Sequence, residues 1–99
     1  MPALTVATTI LQQLGGNRFI AMTGAHNIGG GRDHLIFRVM KNTHNVNAVR
    51  ILLNGLDLYD INFYKVQGSS VTIVHHIENV YAEDLQTVFT SNTGLDTNL

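Results

Sequence analysis

Between residues 34 and 77 the chain passes through four stretches in which apolar and polar residues alternate, and no connection between them is long enough to hold a crossover helix. Parallel neighbours need a crossover of about a dozen residues or more, so consecutive strands here must pair antiparallel. The four stretches are 34–40 (HLIFRVM), 49–53 (VRILL), 58–66 (LYDINFYKV) and 71–77 (VTIVHHI). Asn54-Gly55 and the run Gln67-Gly-Ser-Ser70 lie between the later ones. Asn-Gly is a strong short hairpin signal, because both central residues of a type I′ turn need positive φ. Residues 41–47 (KNTHNVN) read as a polar loop, and residues 18–23 (RFIAMT) as one further strand at the front.

A different period flanks this region. Val6, Ala7, Ile10, Leu11 and Leu14 recur at helical spacing over residues 5–14, with Gly15 and Gly16 at the C-cap. Tyr81, Leu85, Val88 and Phe89 share one face of a second helix, which carries Glu83 and Asp84 in its first turn and ends at Gly94. The expected fold is therefore α+β: an N-terminal helix, a five-stranded antiparallel meander sheet, and a C-terminal helix packed on one sheet face, in a single domain spanning residues 1–99. Cysteine is absent, which removes disulfides and thiolate chemistry and fits an intracellular compartment. The first fourteen residues show neither a basic leader nor an apolar run long enough to cross a bilayer, so they belong with the fold and no membrane association is expected.

Three stretches, 8–27 (TTILQQLGGNRFIAMTGAHN), 50–66 (RILLNGLDLYDINFYKV) and 79–95 (NVYAEDLQTVFTSNTGL), resemble a group of small uncharacterised proteins of bacteriophages and related mobile elements. Departures from that pattern fall at His26, where lysine is common, at Asp96, where tyrosine is common, and at Val39-Met40-Lys41-Asn42, where Leu-Pro-Arg-Asn is common. The resemblance implies no activity. It implies a viral accessory protein acting in the cytoplasm of a host bacterium.

The glycine-rich stretch 24–33 (GAHNIGGGRD) is the first candidate for chemistry. Gly24 and Gly29 have the spacing of a phosphate loop, but Gly30 and Gly31 stand where lysine and a hydroxyl are needed, and a strand follows instead of a helix. It reads as a mobile hairpin tip, from which His26 and Arg32 could close over an anionic ligand. His75 and His76 are neighbours on a strand and point to opposite faces, so they cannot share a metal in regular geometry. Alternation with Val71, Ile73 and Ile77 buries His75. Asp57 reads as a turn residue. No serine sits in a nucleophile elbow, and no metal, cofactor or catalytic residue is expected.

The sheet's second face carries more information. If Leu35, Phe37, Val39, Val49, Ile51, Leu53, Ile61 and Phe63 face the helices, then Ile36, Arg38, Arg50, Leu52, Asp60, Asn62 and Tyr64 face away. Arginine beside an aromatic suits both the centre of a protein interface and the stacking of single-stranded bases. The formal charge is −1, and charged residues make up 13% of the chain, about half the roughly 25% of a typical soluble domain. That balance favours a host or viral protein, or a small anionic ligand, over a long polyanion, and a lightly charged surface suits a homo-oligomer. The expected binding residues are His26, Arg32, Arg38, Arg50, Asn62 and Tyr64. Single-stranded nucleic acid, held by Arg38, Arg50 and Tyr64, is the second reading.

Overall fold

The computed structural model describes residues 5–97. Residues 1–4 and 98–99, which the sequence reading includes in the domain, lie outside them. Helix α1 (Thr5–Leu14) buries Ala7, Ile10 and Leu14, three positions that one helical face brings together. Gly15 and Gly16 end it with φ of 128° and 61°, and the Gly16 amide donates to the Leu11 carbonyl at 2.9 Å. A side chain at either position would strain this backbone, so the two glycines act as the stop that the sequence indicates.

Residues 18–23, expected as a strand, are helical instead. Helix α2 (Asn17–Thr23) buries Phe19 and Thr23, four residues apart, and the Thr23 hydroxyl donates to the Phe19 carbonyl at 2.7 Å. A short apolar run does not distinguish helix from strand by its period alone. Here the spacing of Phe19 and Thr23 decides the matter by what it buries.

The sheet then begins inside the glycine-rich stretch. Strand β1 (His26–Gly30) pairs antiparallel with β2 (His34–Arg38), so only residues 31–33 form the tip. Strands β3 (Ala48–Leu53), β4 (Tyr59–Gln67) and β5 (Ser70–Val80) follow, and the sheet order is β1-β2-β3-β4-β5, every pair antiparallel. The five-stranded meander is present, with its first strand supplied by His26–Gly30. A 3₁₀ turn (Ala82–Asp84) leads into α3 (Leu85–Thr93), whose C-cap Gly94 is left-handed at φ 76°.

All three helices cover one sheet face. Ile10, Leu14, Phe19, Leu85 and Phe89 meet Leu35, Phe37, Val49, Ile51, Ile61 and Phe63 in one core. At its centre Phe19 stands edge-on to Phe37 (centroids 5.3 Å apart) and to Phe89 (5.1 Å), the arrangement that aromatic quadrupoles favour. The loop 39–47 is anchored by Val46, which is buried, and by Asn42, whose side-chain oxygen accepts from the His44 and Val46 amides.

The β3–β4 connection is not a type I′ turn, since neither Asn54 nor Gly55 has positive φ. The Asp57 amide donates to the Asn54 carbonyl, Asp57 itself takes φ 60°, and Asn54 donates to the Leu58 carbonyl. This is a three-residue hairpin loop with its left-handed residue last. Asn54 holds it from inside, its side-chain oxygen accepting from Leu56 at 2.8 Å and Leu58 at 3.2 Å. The β4–β5 turn is shorter: Gln67 pairs with Ser70, and Gly68 supplies the positive φ (57°).

Candidate functional site

The face of the sheet turned away from the helices is the candidate site. Cross-strand partners share a face, so the register reads this surface directly. One row runs His26, Arg38, Ala48, Tyr64, Ile73, and the next Gly29, Ile36, Arg50, Asn62, His76. A third holds His34, Leu52 and Asp60. Every residue assigned to this face by alternation lies on it: Ile36, Arg38, Arg50, Leu52, Asp60, Asn62 and Tyr64.

The structure brings five of the six expected binding residues together and separates one. His26, Arg38, Arg50, Asn62 and Tyr64 share the open face. Arg32 sits on the turn at residues 31–33, beyond Gly30, at the opposite end of β1 from His26. His26 is also fixed locally, its Nδ1 donating to the Gly24 carbonyl at 2.8 Å. The stretch 24–33 is thus an edge strand with a short tip, not a long hairpin tip. Its bulge lies between His26 and Gly29, where Asn27 adopts φ 51°.

His75 departs from the expectation most plainly: it is exposed. Tyr64 pairs with Ile73 but Phe63 with His75, so Val74 is an extra residue on β5 and the alternation changes phase there. Val71 and Ile73 consequently lie on the open face and are 62% and 59% exposed. His75 shares the helix side with Phe63, edge-on at 6.3 Å, but beyond the cover of the helices. His76 lies on the open face, hydrogen-bonded to the Asn62 side-chain oxygen, with its Nε2 3.7 Å from Glu78.

Electrostatically the sheet has two ends. Where β2 and β4 finish stand Arg38, Lys41 and Lys65; at the other end stand Asp33, Asp57, Asp60, Glu78, Glu83 and Asp84, with Arg32. Asp60 is committed to structure, accepting from the Asn54 side chain at 3.0 Å and the Asn79 amide at 3.0 Å. Neither Arg38 nor Arg50 has an ion pair or hydrogen bond among the described residues, although both are half-buried. Neither arginine pairs with an aspartate across the strands among the described residues.

Beside Arg38 the face is hollowed. A groove of about 430 Å³ is lined by Asn27, Ile36, Phe37, Arg38, Ala48, Tyr64, Val66 and Val71. Ala48 is the small residue in its row and leaves the dent between Arg38 and Tyr64. Alternation over residues 49–53 starts one position too late to include it, and an alanine gives no pattern that would have signalled a groove. Among the described residues, no group of three or more His, Asp or Glu side chains could hold a metal, and no helix is long and apolar enough to cross a membrane.

No family model, no curated protein and no solved structure matches this chain.

Proposed function

We propose that this chain is a non-enzymatic accessory protein that binds a protein partner through the open face of its sheet. One observation carries the reading: a sheet covered on one side presents, on the other, Ile36, Val71 and Ile73 exposed around Tyr64 and two arginines without partners among the described residues. Apolar anchors mixed with tyrosine and arginine are the composition of interface centres. The resemblance to bacteriophage proteins supports a place of action in the host bacterial cytoplasm, with counter-defence as a natural task.

Site-specific photo-crosslinking tests it. A benzoylphenylalanine in place of Ile73 is expected to crosslink a discrete partner in bacterial cells, and one in place of exposed Ser91 on α3 is not. Crosslinking that is the same from both positions would remove the open face from consideration, and turnover of a nucleotide by the purified protein would sink the non-enzymatic reading. A homo-oligomer belongs to the proposal as well. It would form along the outer strand β5, whose eleven residues include no Lys, Arg or Pro, the residues that commonly blunt an edge. Native mass spectrometry reads it directly.

The second reading is single-stranded nucleic-acid binding, favoured by the placing of Arg38 and Tyr64 in one cross-strand row. It predicts affinity that falls steeply with salt, with Arg50→Ala lowering the log–log slope by about 0.7, the value of one phosphate contact on a single strand.

A further inference from the structure

The open face holds two arginines without partners among the described residues, beside an apolar dent, and the chemistry of an occupant follows from their placing. Arg38 and Ala48 are direct cross-strand partners, and Arg50 lies two residues along β3 from Ala48 on the same face. Two strand residues span about 6.6 Å, the same distance that separates alternate side chains of any extended chain. An extended segment that runs along β3 and seats one apolar side chain over Ala48 therefore places a side chain two positions away over Arg50, and Arg38, across from Ala48 on β2, reaches the same segment from its flank. Carboxylates there would complete what the sheet leaves open, since guanidinium and carboxylate meet in a planar two-pronged bond.

We infer that the occupant of this face is an extended acidic segment of a partner protein, with one apolar side chain in the groove over Ala48 and carboxylates on Arg38 and Arg50. The inference rests on the open-face reading above and narrows it to a class of partner. A second copy of this chain does not fit. A face-to-face copy would have to answer the arginines with the carboxylates of the face, and these, Asp60 and Glu78, stand at the far end engaged with Asn54, Asn79 and His76. Nucleic acid fits less well, because single-strand platforms stack successive bases on successive aromatics, and Tyr64 is the one Phe, Tyr or Trp among the described residues of these rows.

The test is titration of ¹⁵N-labelled protein with two synthetic peptides at low salt, acetyl-Gly-Glu-Gly-Leu-Gly-Glu-Gly-amide and its counterpart with glutamine for both glutamates, and with decathymidylate. The acidic peptide is expected to shift the amides of Arg38, Ala48, Tyr64 and Val71, and to bind at least about fivefold more tightly than the glutamine peptide. Arg38→Gln should reduce the acidic peptide to the level of its counterpart. Ala48→Leu, which fills the groove, should abolish both. Should that variant fail to fold, Arg38→Gln alone decides, because its side chain has no structural partner among the described residues. Equal affinity for the two peptides, or no shift from either, would overturn the acidic assignment and leave the open-face reading to the crosslinking result. Shifts confined to the helix side, or tighter binding of decathymidylate, would overturn both.

Discussion

Gly30 of β1 lies flush against Ala7 of α1: a methyl group on Gly30 would stand 2.5 Å from the Ala7 Cβ and 2.9 Å from the His34 carbonyl oxygen. Its neighbour Gly29 faces the open side, where a methyl would meet Ile36 at 3.8 Å, an ordinary contact. Gly30→Ala should therefore destabilise the fold by about 1–3 kcal/mol, the usual cost of overpacking. Gly29→Ala should be neutral or stabilise by about 0.4–1 kcal/mol, because it restricts the unfolded chain. Denaturant unfolding of the two variants separates them, and equal midpoints would mean that β1 does not rest on α1. The close packing also explains why a glycine-rich segment settles as an edge strand rather than as a free flap.

Asn54 uses its whole side chain at one end of the sheet. Its oxygen accepts from the Leu56 and Leu58 amides, while its nitrogen donates to Asp60 at 3.0 Å and to the Asn79 side-chain oxygen at 2.8 Å. Asn54→Asp keeps the two acceptor bonds but sets a second carboxylate against Asp60. It should cost more than Asn54→Ser, by about 1 kcal/mol or more, since an acceptor left facing a like charge loses more than one that simply loses its donor. The difference should shrink as salt is raised. A salt-independent difference would place the cost in the loop rather than in the charge pair.

Where side chains alternate without interruption, the sequence is a sufficient guide to this fold. Leu35, Phe37, Val49, Ile51, Ile61 and Phe63 all lie inward, and Arg38, Arg50 and Asn62 all lie outward, because β2, β3 and β4 pair in unbroken register. The reading fails where that logic has nothing to act on. Glycines in β1 carry no pattern, and the short run 18–23 satisfies two periods at once. In β5 one unpaired residue, Val74, turns His75 to Ile77 over, and a second irregularity before Val80 restores the phase. The groove was illegible for a related reason. It is made by the smallness of Ala48, and by Val71, whose face depends on the bulge.

The bulge makes a testable contrast between two facing residues. Phe63 is fully buried, whereas His75, opposite it on β5, is exposed. Phe63→Ala should cost about 3–5 kcal/mol and His75→Ala under about 1 kcal/mol, the latter limited to the edge contact of the two rings. Thermal or chemical unfolding measures both. A cost for His75→Ala near that of Phe63→Ala would return His75 to the core and place the phase change elsewhere on β5.

Tyr59 links stability to alkaline pH. Its ring is buried at the start of β4, and its hydroxyl donates to the Gln13 side-chain oxygen of α1 at 2.8 Å. Burial raises its pKa above the ordinary 10.0. The folded protein thus holds the phenolic proton where the unfolded chain releases it. Stability is fully present below pH 10.0 and declines as pH rises from there through the higher folded value, because unfolding then releases a proton. Tyr59→Phe removes the group that titrates. At neutral pH the variant should lose about 0.5–1.5 kcal/mol, the net value of one hydrogen bond. Above pH 10 its disadvantage should narrow, since only the parent protein carries the phenol whose ionisation favours unfolding. Denaturant midpoints of the two proteins, measured from pH 7 to 11, give both quantities, and parallel curves across that range would remove Tyr59 as the source of the alkaline limb.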